Sequence, residues 1–383
     1  MSNIINLGNA ANTATFSTVD TLTSGAGADT IRLTGGITNA SIDLGGGSDA
    51  LTLGNVANSA TIANVESLTG GSLADTVTLG TALTTGMQLD LGAGSDKLVL
   101  ANAANTGTLA NTETIVGNAG VDTITLGTAL TGGSIDLAGG ADILTFANGT
   151  NSVSLANVET ITGGTGADTV TLTAAAANAS IDLGGGSDVL TLGGFANSAS
   201  VTNVETLTGG SAADTITLGS ALTTAMQVDL GAGSNKLTLA NAANTGTVKD
   251  VTSLTGGTGD DTITLGTAIT GGAIDLGTGN NKLTFGNFAN SATLANIETI
   301  AGAAGNDAVT LGSALSTAMA VDLGAGSNKL TLAAGGNTGT VSNVQSLTGG
   351  AGADAITLGT IITNGSIDLA GGNDTLTFGN FAN

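Results

Sequence analysis

A unit of 46 or 47 residues is written eight times between Gly8 and Phe378, and it leaves almost no sequence outside itself. The units run 8–53, 54–100, 101–146, 147–192, 193–239, 240–285, 286–332 and 333–378. A fixed period of this length is the signature of an array in which each repeat buries its apolar face against its neighbours. Such an array lengthens in one dimension without splitting, so one repeat domain over 1–383, with no distinct caps, is expected.

Within a unit, Leu, Val and Ile fall on every second residue, as in Thr76-Val77-Thr78-Leu79, Gln88-Leu89-Asp90-Leu91 and Lys97-Leu98-Val99-Leu100. That is the pattern of half-buried strands, and Gly and Asn clusters separate them. No segment keeps a helical period. The expected fold is all-β, a parallel β-solenoid with two coils to each unit. A propeller blade of similar length would need four antiparallel strands and usually carries aromatic markers, and this chain has no Trp or Tyr. The 47-residue units carry their extra residue beside TGMQLDL, TAMQVDL and TAMAVDL.

Composition removes several chemistries. With no Cys and no His, thiolate sites and the commonest general base are absent. Net charge is −23, with six basic residues, which makes nucleic acid and anionic lipid surfaces poor partners. No apolar run reaches the length of a membrane span, so no membrane insertion is expected. The segment MSNIINLGN lacks the basic and apolar parts of a secretory signal.

Four positions per unit hold nearly all 29 acids. Two lie in Gly-rich turns: Asp29, Asp49, Asp75, Asp96, Asp122, Asp142, Asp168, Asp188, Asp214, Asp261, Asp307, Asp354 and Asp374. The third is a strand residue such as Asp90, and the fourth follows Asn-Val, as Glu66 does. In a coiled array equal positions stack, and stacked carboxylates repel unless a cation or a neutral group intervenes. The thirteen turn aspartates are therefore candidate ligands of a Ca²⁺ ladder, completed by glycine carbonyls. The competing reading is that each Asp caps its own turn. At three turns Asn replaces Asp and Lys follows it, in Asn235-Lys236, Asn281-Lys282 and Asn328-Lys329.

Gly163-Gly164-Thr165-Gly166-Ala167-Asp168, Gly256-Gly257-Thr258-Gly259-Asp260-Asp261 and Gly349-Gly350-Ala351-Gly352-Ala353-Asp354 resemble the G-G-x-G-x-D repeats of the repeats-in-toxin (RTX) family of secreted calcium-binding proteins. The Asn-Val-Glu-Thr segments look like those of surface-layer members of that family. The resemblance implies bound calcium, export by type I secretion and an extracellular or cell-surface location. The motifs recur here every 20–26 residues, not in tandem every nine as in the family.

Both ends fall in mid-repeat at the same phase. Ser2–Asn12 aligns with 234–244, and Asn373–Asn383 occupies the equivalent place. The expected function is a secreted, calcium-stabilised structural protein. It would assemble with copies of itself, head to tail through these terminal coils, into a filament or lattice. An ice- or surface-binding adhesin-type module is the alternative, resting on outward threonines such as Thr76 and Thr78. No catalytic site is expected, because carboxylate pairs recur in every unit and Ser and Thr have no basic partner.

Overall fold

The computed structural model describes residues 2–381. Its elements are strands, and every pairing within each of the two compact units, Met1–Gly193 and Gly194–Asn383, is parallel. The parallel β-solenoid is therefore present, and each compact unit is described by itself.

In the first unit an interior strand pairs with the strand two places before it and the strand two places after it. One coil is thus two strands, one in each of two facing sheets. Alternation supplies the core. On one sheet the inward positions Ala60, Val77, Leu98, Ile115 and Ile135 lie directly over one another. On the other sheet Ile31, Leu51, Leu68, Leu89 and Leu109 do the same. All ten are buried. Each buried aliphatic side chain contributes about 1.5–3 kcal/mol relative to exposure. The second unit repeats the scheme, with Ile216, Leu237, Leu254, Ile274 and Leu294 stacked and buried.

The residues 54–100 hold five strands: Ser59–Ala63, Ser67–Gly71, Thr76–Leu79, Gln88–Gly92 and Lys97–Val99. At two strands per coil, a sequence unit spans its two expected coils plus one further strand. Paired positions are accordingly 17, 20 or 21 residues apart, as in Thr76↔Ser59, Thr21↔Ser41 and Thr76↔Lys97. The longest step is the one that carries the extra residue. A tight turn takes it up, closed by Met87 N–H donating to the Thr84 carbonyl at 2.9 Å. Met226 and Met319 close the same turn in the second unit.

The outward columns are mixed. Thr76 and Thr78 lie between Ser59 and Thr61 on one side and Lys97 and Val99 on the other. The threonine face is interrupted there, whereas on the other sheet Thr108, Thr125, Thr145 and Thr162 stack in line.

Candidate functional site

The turn aspartates stand at the edges of the sheets, pointing inward, and most are fully buried. They do not gather into clusters. They form short ladders of four side chains, each bonded to the backbone of the coil before it. In one ladder Asn58 N–H donates to Asp75 Oδ1 (3.0 Å), Asp75 N–H to Asp96 Oδ1 (2.6 Å), and Asp96 N–H to Glu113 Oε2 (2.8 Å). The next ladder, Asn105–Asp122–Asp142–Glu159, has the same bonds. Asp75 leads into a strand of one sheet and Asp122 into a strand of the other, so the ladders alternate between the two edges. In the second unit Asn290, Asp307, Asn328 and Gln345 repeat the arrangement with two acids replaced by amides.

The two aspartates of a ladder meet different surroundings. The first-turn carboxylate is faced by donors. Asp75 Oδ1 also accepts from Asn58 Nδ2 (2.8 Å), and Oδ2 accepts from Gly71 N–H (3.1 Å). Asp354 has the same three bonds, from Asn337 and Gly350. In Asp122, Asp168, Asp214, Asp261 and Asp307 the Oδ2 atom makes no hydrogen bond. For Asp29, burial pushes the carboxyl up, but bonds from the Ser24 hydroxyl and from Asn12 outweigh it and hold the group below the ordinary aspartate value. Asp307 lacks such a hydroxyl, and burial outweighs its Asn290 bonds and raises it.

The second-turn carboxylate is faced by acceptors. The three natural Asn replacements show which. Asn328 Nδ2 donates to the carbonyls of Leu323, Gly324 and Asn343 at 2.9–3.0 Å. Asn235 Nδ2 donates to those of Leu230, Gly231 and Asp250. At Asp49, Asp96 and Asp142 the equivalent Oδ2 has no partner. Burial pushes Asp96 up to about 6, helped by the nearby carboxylates of Glu113, Asp75 and Asp90. Asp49 and Asp142 are raised by burial first and then by their ladder neighbours, Glu66 and Asp29 for one, Asp122 and Glu159 for the other.

The glycines of the G-G-x-G-x-D pattern have a packing reason. A Cβ on Gly256 or Gly349 would stand 2.6 or 2.7 Å from the Oδ2 of Asp261 or Asp354. A Cβ on Gly166 would meet the Gly149 backbone of the preceding coil at 2.2 Å. The second glycine supplies the amide that Asp354 accepts.

No protein-family model matches the chain, and no curated protein matches it in sequence.

These donor sets do not fit Ca²⁺. That ion takes six to eight oxygens. In each complete ladder one carboxylate oxygen of both aspartates is already spent on backbone amides. The first-turn Oδ1 is taken by two N–H donors of the ladder Asn, as at Asp75 and Asp122. The second-turn slot offers one carboxyl oxygen and at most three carbonyls, and it is sealed from water that could complete a shell. Among the described residues no three acidic side chains come together around a possible ion. Asp374, the last of the thirteen, accepts from Asp354 N–H at 2.9 Å and is half-buried.

Two groups of functional residues escaped the sequence reading. The ladder Asn, such as Asn58 and Asn105, stands 17 residues before each first-turn Asp, and that constant offset is its signal. The other is Asn64, with φ +53°, which donates to the strand residue Asp43 at 2.7 Å; Asn111, Asn157, Asn296 and Asn343 repeat this 21 residues after their own strand Asp. Asn tolerates that left-handed backbone better than other residues with a Cβ. Asn64→Ala is expected to lower stability by about 1–2 kcal/mol, and Asn64→Gly by less, in denaturant titrations. Thr18 and Asp250 stand where the other units have this Asn; Asp250 is the charged one. It faces Asp229, and burial followed by that neighbour raises its carboxyl, while Lys249 lies 3.9 Å from Asp229 and offsets the added charge.

Proposed function

We propose that the protein is a structural solenoid of the cell exterior that associates with copies of itself through coil faces, building a filament or surface lattice. One observation carries this reading. Within each compact unit, successive coils meet by the same in-register parallel pairing, so a coil of one chain offers another chain the edge it offers its own neighbour. An unpaired coil edge of this kind pairs with other strands. A contact between two different faces does not close on itself and propagates. Ala382 and Asn383 of the second terminal segment lie outside the described residues.

The acid-rich sides would keep such assemblies dispersed. The resemblance of the turns to secreted glycine-aspartate repeats supports the exterior location; the assembly reading itself requires no bound ion. Negative-stain microscopy and sedimentation of the purified chain, with calcium and with chelator, test it. End-to-end particles that lengthen with concentration and with salt are expected, because salt screens the repulsion between acidic chains. Uniform monomers at high concentration in both conditions would overturn it.

A further inference from the structure

We infer that the second-turn position of each ladder is a hydrogen-bond donor slot, filled by an amide at Asn235, Asn281 and Asn328 and by a protonated carboxyl at Asp49, Asp96 and Asp142. A proton there does what the resemblance would assign to calcium.

The chain contains its own comparison. Where the slot holds Asn, Nδ2 donates to two or three carbonyls: the pair or trio is Gly277 and Asn296 for Asn281, and Leu323, Gly324 and Asn343 for Asn328. The matching carbonyls for Asp96 belong to Leu91, Gly92 and Asn111. They are fixed in place: Gly92 has φ +85° with its N–H on Asp90, and Asn111 has φ +49° with its side chain on the same Asp90. A buried carboxylate whose Oδ1 accepts one amide but whose Oδ2 faces carbonyl oxygens is disfavoured as the anion, whereas the neutral acid is shaped like Asn and donates from Oδ2. The ionisable groups facing the slot are all acids: Glu113, Asp75 and Asp90 at Asp96, Glu66 and Asp29 at Asp49, Asp122 and Glu159 at Asp142. Each adds to the preference for the neutral form. Asp75 and Asp354 are the opposite case, since both of their carboxylate oxygens accept from N–H donors and the carboxylate is the better partner.

The sign of the pH effect follows. These groups hold their protons more tightly folded than unfolded, so their contribution is complete below the ordinary aspartate value and is lost as pH rises above it, for Asp96 through about 6.

The test compares the full chain with the triple variant D49N/D96N/D142N and the reverse triple N235D/N281D/N328D. Guanidinium unfolding is followed near pH 5 and pH 8, in chelator and with added Ca²⁺. Because Asn already occupies this slot three times, the first triple should fold. Its advantage over wild type should be larger at pH 8 than at pH 5, by on the order of ten- to a hundredfold in the unfolding constant. The reverse triple should lose stability at pH 8 and regain it at pH 5. Carboxyl ¹³C NMR of wild type should show raised aspartate titrations, Asp96 at about 6, that the first triple removes at positions 49, 96 and 142. Equal pH dependence of wild type and the first triple, with no such carboxyls, would overturn the assignment. So would stabilisation of wild type by Ca²⁺ that the first triple abolishes.

Discussion

Replacing Asp75 by alanine is expected to cost about 3–5 kcal/mol, the largest effect of any single polar substitution in a ladder. The variant leaves the Asn58 amide, the Asn58 side-chain N–H and the Gly71 amide without the acceptor they share. Each buried donor left alone costs about 1–3 kcal/mol, and partial relaxation keeps the total below the sum. Asp75→Asn keeps Oδ1 as acceptor but sets an NH₂ against the Gly71 amide. A loss of about 1–2 kcal/mol is expected there, so the order Asp, Asn, Ala should be clear in chemical denaturation. Because each coil touches only its neighbours, the damage should be local. Amide exchange should accelerate first in the coils between Asn58 and Asp96, and the same rates in distant coils of that unit should hardly move. A uniform rise in exchange would contradict the nearest-neighbour picture.

The second large effect is in the core. Leu98→Ala should cost about 2–5 kcal/mol, measured by the same titration. Leu98 is fully buried between Val77 below and Ile115 above. The cost should fall toward the upper end of that range, because the site cannot collapse. Coil spacing is fixed by main-chain hydrogen bonds at about 4.8 Å, so the neighbouring side chains cannot close over the gap. Leu98→Ile keeps the volume and should lose less than about 1.5 kcal/mol.

Much of this fold was legible in the residues. The alternation in Thr76–Leu79 states which side chains point inward, and the structure buries Val77 and Leu79 as that pattern requires. The 47-residue units announced an extra residue near TGMQLDL, and a turn closes there. Coil length was harder to read. The turn aspartates invited one coil per half-repeat of roughly 23 residues. Yet Asp96 stacks on Asp75, 21 residues before it, and next on Glu113, 17 residues after it, while Asp122 stands at the other edge. Spacing between like residues measures a coil only when both residues lie on one edge, and nothing in a one-dimensional string marks the edge.

The site was legible in part. The thirteen aspartates were recognisable as special because they recur, and twelve of them prove to be buried. What they do depends on the polarity of atoms that composition does not reveal. An Asp beside amides and an Asp beside carbonyls carry the same letter. The Asn that completes each ladder was hidden among many similar Asn residues, such as those of ANAAN and GNFAN.

Five strands per unit is an odd number, and that parity reaches beyond packing. The segment Lys97–Val99 lies in one sheet, and its equivalent Ile143–Thr145, one unit later, lies in the other. Successive copies of the repeat therefore face opposite ways, and a given face recurs only after two units, or five coils, roughly 24 Å along the stack at the usual strand spacing. Recombination that adds or removes a single unit would thus invert the presentation of every residue downstream of it, while a change of two would preserve it. Repeat number in such a chain is then not merely a length setting. Even and odd changes are different kinds of mutation, and only even ones leave the pattern of both faces intact.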